Sequence, residues 1–422
     1  MPKLMIRGGD LDLVEYELQP FLPGNQMNTL DFEKKKYSLK PVKGTVVVTA
    51  PARIHLTVLD MNRFAPGKPG GGGVGFAVQV YCTAEVSCTP KNVEINYDRY
   101  GQETYWKGVL GHDLEPGRAY EEVSRTAHEL RRIGQQIVDY KRTNQVAILY
   151  SDDSYYGIEF MRFSARVNYR TILQQMYRVL YRNNVGVDFV FPESRNFSDY
   201  KVILVPPLYV ASDAVLKNLV DYVRGGGHVV MAFKSGFTNE YNTVRWTIMP
   251  GILREAAGFH YQEFSNLRQP LALKGDPFRA GSENKVSDWA EMLNLDSAEG
   301  VAYYDHPFFG RYPAITRNRF GNGSLTYEGT VLTDALQEKV LLEVFQRAAV
   351  TGPDQTLPPN VRTKHGVNRN GRTIHYYLNY SSDARTFSYP YGSGTNLLTQ
   401  AAVTHSQQIT VKPWDLVLVE EK

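Results

Sequence analysis

Between Asn144 and about Ala349 the chain alternates short apolar strands with single helices. QVAILYS, VDFVF, YKVILVPPLYV and HVVMAF read as strands, because each is a brief run rich in β-branched residues. Between them, YRTILQQMYRVLYRNNV places Ile172, Leu173, Met176, Val179 and Leu180 on one face at three-to-four spacing. DAVLKNLVDYVRGG is a second helix, and Gly225–Gly227 stop it. Strands buried on both faces and joined by single helices form βαβ units and a parallel sheet. That pattern sets the fold class as α/β.

The flanks differ. Residues 1–98 hold TVVVTAPARIHLTVLDMN, GKPGGGGVGFAVQVYCTAEVSC and VEINYD, β-rich runs broken by a glycine loop. Residues 99–143 centre on PGRAYEEVSRTAHELRRIGQQIVDY, an amphipathic helix opened by Pro116 and Gly117, with Tyr120, Val123, Ala127, Leu130 and Ile133 along one stripe. Residues 353–422 carry KHGVNRNGRTIHYYLNYS, in which Asn370-Gly371 signals a two-residue hairpin, and then QQITVKPWDLVLVEE. This end reads as a small antiparallel β-sandwich.

Composition narrows the functions. With 47 basic and 44 acidic residues the net charge is +3, which gives no support for a nucleic-acid partner. Two cysteines, Cys82 and Cys88, exclude a disulfide scaffold; they read as free buried thiols in a reducing compartment, with a single bond between them as the alternative. No apolar run reaches the length of a membrane span, about 18 residues. The N-terminal MPKLMIRGGDLDLVEYEL has charges throughout and no secretory core. These features place the protein in the cytoplasm, away from membranes. No Cys, His and carboxylate cluster has metal-ligand spacing, so neither a metal nor a cofactor is expected.

The carboxyl ends of a parallel sheet are where chemistry usually sits. Ser151-Asp152-Asp153-Ser154 follows the first strand, with no glycine-rich phosphate loop, and reads as helix capping. Lys234-Ser235-Gly236 follows HVVMAF but lacks the first glycine of a serine-hydrolase elbow, and no cysteine lies beyond Cys88. A doubly wound domain without chemistry at its strand ends reads as an assembly domain.

From about Tyr100 onward the sequence resembles the C-terminal part of a glycoside hydrolase family 42 β-galactosidase. The resemblance rests on Gly101-Gln102-Glu103, Tyr105-Trp106, His112-Asp113, VAILYSDDSYYGIE, FSDYKVILVPPLYVASDAVLKNLVDYVRGGGHVVMAFKSGFTNEYNTVRW, RNRFGNGSLTYEGT and KPWDLVLVE. It implies a barrel remnant over 99–143, a flavodoxin-like trimerisation domain over 144–352 and a C-terminal β domain over 353–422. It also implies retaining hydrolysis of terminal β-galactosides by two glutamates, with three such domains packed about a threefold axis as a homotrimer. Glu103 falls where the family binds galactose hydroxyls. Trp106 stands three residues on, where many members place a histidine, and offers a stacking face instead.

Only 102 residues precede Glu103, whereas a (β/α)8 barrel needs about 250, so no complete barrel is expected and no catalytic glutamate is assigned. Glu85 and Glu94 read as strand-surface positions. Pro51–Asp60 with Gly71–Ala77 resembles the N-terminus of the GHMP kinase superfamily, closest to β-ribofuranosylaminobenzene 5′-phosphate synthases, but the superfamily's phosphate loop is missing. Three functions follow: a truncated β-galactosidase that trimerises without turnover, a non-catalytic carbohydrate-binding or assembly module that shares galactoside as partner, and a small-molecule kinase or synthase. The helix Tyr120–Tyr140 is expected to dock on a new neighbour or stay mobile.

Overall fold

The computed structural model describes residues 115–422 together with residue 109, and upstream the backbone of five strands. Those strands are β1 (Lys3–Gly8), β2 (Leu11–Glu17), β3 (Gly44–Leu59), β4 (Gly72–Cys88) and β5 (Val93–Arg99). They form one antiparallel sheet in the order β2-β1-β3-β4-β5. The chain separates into two compact units, 1–125 and 126–422. Cys82, Cys88, Glu85 and Glu94 fall on β4 and β5, and their side chains lie outside the described residues.

The second unit is built on the alternation seen in the sequence. β6 (Lys141–Arg142) precedes β7 (Val146–Leu149), β8 (Val187–Val190), β9 (Val202–Val205) and β10 (His228–Ala232). Farther along, β15 (Glu299–Tyr303), β16 (Pro313–Phe320) and β17 (Gly323–Glu328) complete a seven-stranded sheet ordered β15-β16-β17-β10-β9-β7-β8. Strands β8, β7, β9, β10 and β17 run parallel, whereas β15 and β16 add antiparallel at one edge. Each central strand is apolar on both faces because helices or loops cover both. Ala147, Leu149, Ile203, Val205, Val229 and Met231 face one core, and Val146, Ile148, Val202, Leu204 and Val230 face the other.

Helix α1 (Arg118–Ile137) leads into this unit, and α2 (Asp152–Phe160), α3 (Tyr169–Arg182), α4 (Asp213–Arg224), the single turn α5 (Arg254–Ala257) and α6 (Asp334–Arg347) follow. Asn168 caps α3 with a reciprocal Thr171 bond, and Ile172, Met176, Val179 and Leu180 turn inward as their spacing predicts, while Leu173 is only partly buried. Helix α4 stops at Gly225, and the next two glycines are needed there. Gly226 has φ +122°, and a Cβ on Gly227 would strike the Tyr222 ring at 2.1 Å. A further layer joins β12 (Phe264–Ala272), β13 (Lys285–Glu291) and β18 (Thr330–Leu332), and a short ladder pairs β11 (Phe259–His260) with β14 (Asn294–Leu295).

The C-terminal segment is all β. β19 (Val361–Val367), β20 (Thr373–Asn379), β22 (Gly394–Asn396), β23 (Ala402–Val403) and β25 (Leu416–Glu421) pair in a six-stranded sheet with β6 at its edge. β21 (Arg385–Ser388) and β24 (Gln408–Val411) form a separate ladder. The Asn370-Gly371 hairpin exists, but its loop is longer than two residues. Asn368 and Arg372 close it, with Asn368 N donating to Arg372 O at 3.0 Å and Asn368 Oδ1 accepting from the amides of Asn370 and Arg372.

Helix α1 has found a neighbour for its C-terminal half. Ile133, with Ile137 and Tyr140 beside it, packs on Ile374, Leu397 and Leu418 of the C-terminal segment. Arg132 Nη2 donates to Leu398 O at 2.8 Å and Asn368 Nδ2 to Gln136 O at 3.0 Å. Tyr120, Val123 and Leu130, earlier on the same stripe, stay 43–50% exposed.

Candidate functional site

The strand ends of the parallel sheet are occupied by three local devices. After β7, Ser151 caps α2, its Oγ accepting from Ser154 N at 3.1 Å. Ser154 Oγ donates to Val210 O at 3.0 Å and accepts from Val210 N at 3.1 Å, which ties the helix start to the loop after β9. Asp152 accepts from Tyr150 Oη at 2.7 Å. Capping and tethering therefore account for this segment, and no group of His, Cys, Asp and Glu that could hold a metal occurs among the described residues.

After β10 the chain turns through Lys234, whose φ of 58° lies in the left-handed region. A strand ending on such a residue has the backbone of a nucleophile elbow, with lysine at its apex. Its amide donates to Glu291 Oε1 at 2.8 Å. Trp289 Nε1 donates to the same oxygen at 3.2 Å, and Tyr327 Oη donates to Glu291 Oε2 at 2.8 Å. Burial raises the Glu291 carboxyl against the pull of these three donors and of Lys234. The Lys234 ammonium sits among aromatic rings, 4.2 Å from the Trp289 centroid, 4.7 Å from Phe237, 5.1 Å from Tyr209 and 5.6 Å from Phe264. Burial lowers its pKa, and Glu291 opposes the shift. Ser235 cannot serve as a free nucleophile, since its Oγ donates to Ala232 O at 2.7 Å and accepts from Leu208 N at 3.1 Å.

β17 ends on Glu328, fully buried, with Gln337 Nε2 donating to its Oε1 at 2.7 Å. Burial pushes this carboxyl up to about 8, so it is protonated near neutral pH. Sequence reasoning missed Lys234, Glu291 and Glu328. The Lys-Ser-Gly run after β10 was the one local signal, and its left-handed turn needed no preceding glycine.

Beside the lysine cage opens a cleft of about 340 Å³, lined by Phe237, Trp246, Thr247, Ile248, Gln262 and Phe264 among others. Phe237 and Phe264 thus serve both the cage and the cleft wall. Trp246 stands at its rim with 98% of its surface in solvent. The two residues expected to contact sugar, Glu103 and Trp106, lie outside the described residues; of the glycines expected to form a loop, Gly72, Gly73 and Gly75 instead begin strand β4.

The fold defines an α/β sheet domain followed by an all-β domain. Residues 144–351 match the family model described as the β-galactosidase trimerisation domain. Homologues of the chain are family 42 β-galactosidases. β-Galactosidase BgaA of Clostridium cellulovorans is 27% identical over 293 residues, 68% of this chain and 43% of that protein. β-Galactosidase BgaB of a Geobacillus strain is 30% identical over 251 residues, 59% of this chain and 37% of that protein. The chain therefore spans less than half the length of these two relatives. The crystal structure of the β-galactosidase from Bacillus circulans sp. alkalophilus superposes with a TM-score of 0.68 at 23% identity, over 75% of this chain and 47% of that one, a likeness of fold. Among the described residues no helix is long and apolar enough to cross a membrane.

Proposed function

We propose that residues 144–352 are a flavodoxin-like assembly domain of a β-galactosidase-type protein and hold three copies together, without themselves supplying hydrolysis. The match of 144–351 to the trimerisation family carries this reading. The parallel strand order β8-β7-β9-β10-β17 is 2-1-3-4-5 in chain sequence, the flavodoxin order, and supports it. So does the elbow after β10, where an aromatic-caged lysine replaces a cysteine or serine nucleophile. Upstream, β1–β5 pair antiparallel, unlike the all-parallel strands of a (β/α)8 barrel, and this supports the reading that no catalytic glutamate pair stands before Glu103. Terminal β-galactosides are the ligand class, with Glu103 and Trp106 as sugar contacts, and the protein works in the cytoplasm.

Size-exclusion chromatography with light scattering tests the assembly: the expected mass is three times 47.8 kDa, and a strict monomer overturns it. A nitrophenyl-galactoside assay tests the chemistry: no turnover is expected, and turnover abolished by Glu103→Gln would show a working active site.

A further inference from the structure

We propose that the cleft beside Trp246 is a binding site for a neutral pyranose. The cleft is built to present an aromatic face. Trp246 is almost wholly in solvent, while the residue before it is tethered. Arg245 N donates to Phe237 O at 3.1 Å, Arg245 Nη2 to Ala211 O at 2.6 Å, and the same guanidinium pairs with Asp213. The preceding loop is pinned by Thr238 Oγ1 donating to Tyr209 O at 3.0 Å. The segment that carries the indole is therefore tethered beside the apolar wall.

Wall chemistry selects the ligand. Phe237 and Phe264 form an edge-to-face pair, 5.8 Å between centroids, behind the opening. Among the described residues the side chains of Thr247 and Gln262 have no hydrogen-bond partner, so one hydroxyl and one amide are available. None of the six residues named for the wall is charged, and the Lys234 ammonium lies behind the two phenyl rings. A phosphorylated or carboxylated ligand would find no counter-charge on them. A ligand with one apolar face and a rim of hydroxyls matches, and that is a neutral sugar ring. The volume, about 340 Å³, is at the lower end of ligand sites of about 300–1,000 Å³ and suits a single ring. The choice of galactoside as probe rests on the function proposed above; the site itself rests on its wall.

The full chain is titrated with methyl β-galactopyranoside and lactose, followed by tryptophan fluorescence and saturation-transfer NMR. Saturable binding in the millimolar range is expected. Trp246→Ala should weaken it about ten-fold or more, since it removes the stacking face. Gln262→Ala should weaken it about three-fold, the loss of one neutral hydrogen bond. Trp414→Ala, an exposed indole on the C-terminal segment, should leave it unchanged. Circular dichroism checks that each variant is folded. Absence of saturable binding overturns the proposal, and so does binding lost in Trp106→Ala but intact in Trp246→Ala. A Trp246→Ala variant with a smaller assembly and unaltered sugar binding would make the rim a contact between copies and also overturn it. Sugar binding that needs Trp246 in a protein of monomeric mass would uphold the site while refuting the trimer.

Discussion

Glu328 is a carboxyl group in a place that favours its neutral form. Its pKa rises from the ordinary 4.5 to about 8 because burial outweighs the Gln337 bond. Between these values the native state holds a proton that the unfolded chain has released. Stability contributed at this position therefore falls as pH rises through that window, by about 1.4 kcal/mol per unit at most. Glu328→Gln keeps an acceptor for Gln337 and removes the titration. Chemical denaturation at pH 5, 7 and 8.5 should show the wild type losing ground to the variant as pH increases; parallel curves would refute this. Lys234 and Glu291 differ in kind, because hydrogen bonds and aromatic faces satisfy both. Neither residue was legible from sequence, since a buried charge leaves no periodic signature and Lys234, Glu291 and Tyr327 come together from separate stretches of the chain.

Elements were more readable than sites. The helices α3 and α4 and the strands β7–β10 follow from apolar spacing, because each must bury its face on the shared sheet. What spacing could not reveal was partnership. The stripe on α1 reads as one continuous docking surface from Tyr120 to Ile133, yet only its C-terminal part is covered. That split gives a contrast. Ile133→Ala should cost about 2–4 kcal/mol, since it opens a cavity against Ile374 and Leu418. Leu130→Ala, half exposed one turn earlier, should stay within about 0.5 kcal/mol. Urea melts of the two variants check this, and equal losses would show the exposed stretch to be covered in solution. The hairpin at Asn370-Gly371 is a smaller case of the same limit. The turn signal located the reversal, while the extra loop residues came from the Asn368 side chain closing the turn.

Across the molecule, the α/β sheet domain and the C-terminal β domain meet at Asn184. This residue, left-handed at φ 50°, donates from Nδ2 to Asp354 O at 3.2 Å and Val361 O at 3.1 Å, and its Oδ1 accepts from Thr363 N at 3.3 Å. Gln355 adds a bond from Nε2 to Asn183 O at 2.8 Å. Replacing Asn184 by Ala removes all three bonds, although Asp354 O keeps Leu357 N and Val361 O keeps Arg362 Nη1 as donors, and this should lower stability by about 1–2 kcal/mol. Calorimetry should then resolve residues 126–422 into two transitions where the wild type shows one; a single sharp peak in the variant would contradict the assignment. A joint that leans on the amides of Asn184 and Gln355 has a consequence for the whole chain. The β domain is latched by a few small teeth, the Arg362 guanidinium over the Tyr181 ring among them, so loosening one shifts the balance between two halves that melt in step and two that melt apart.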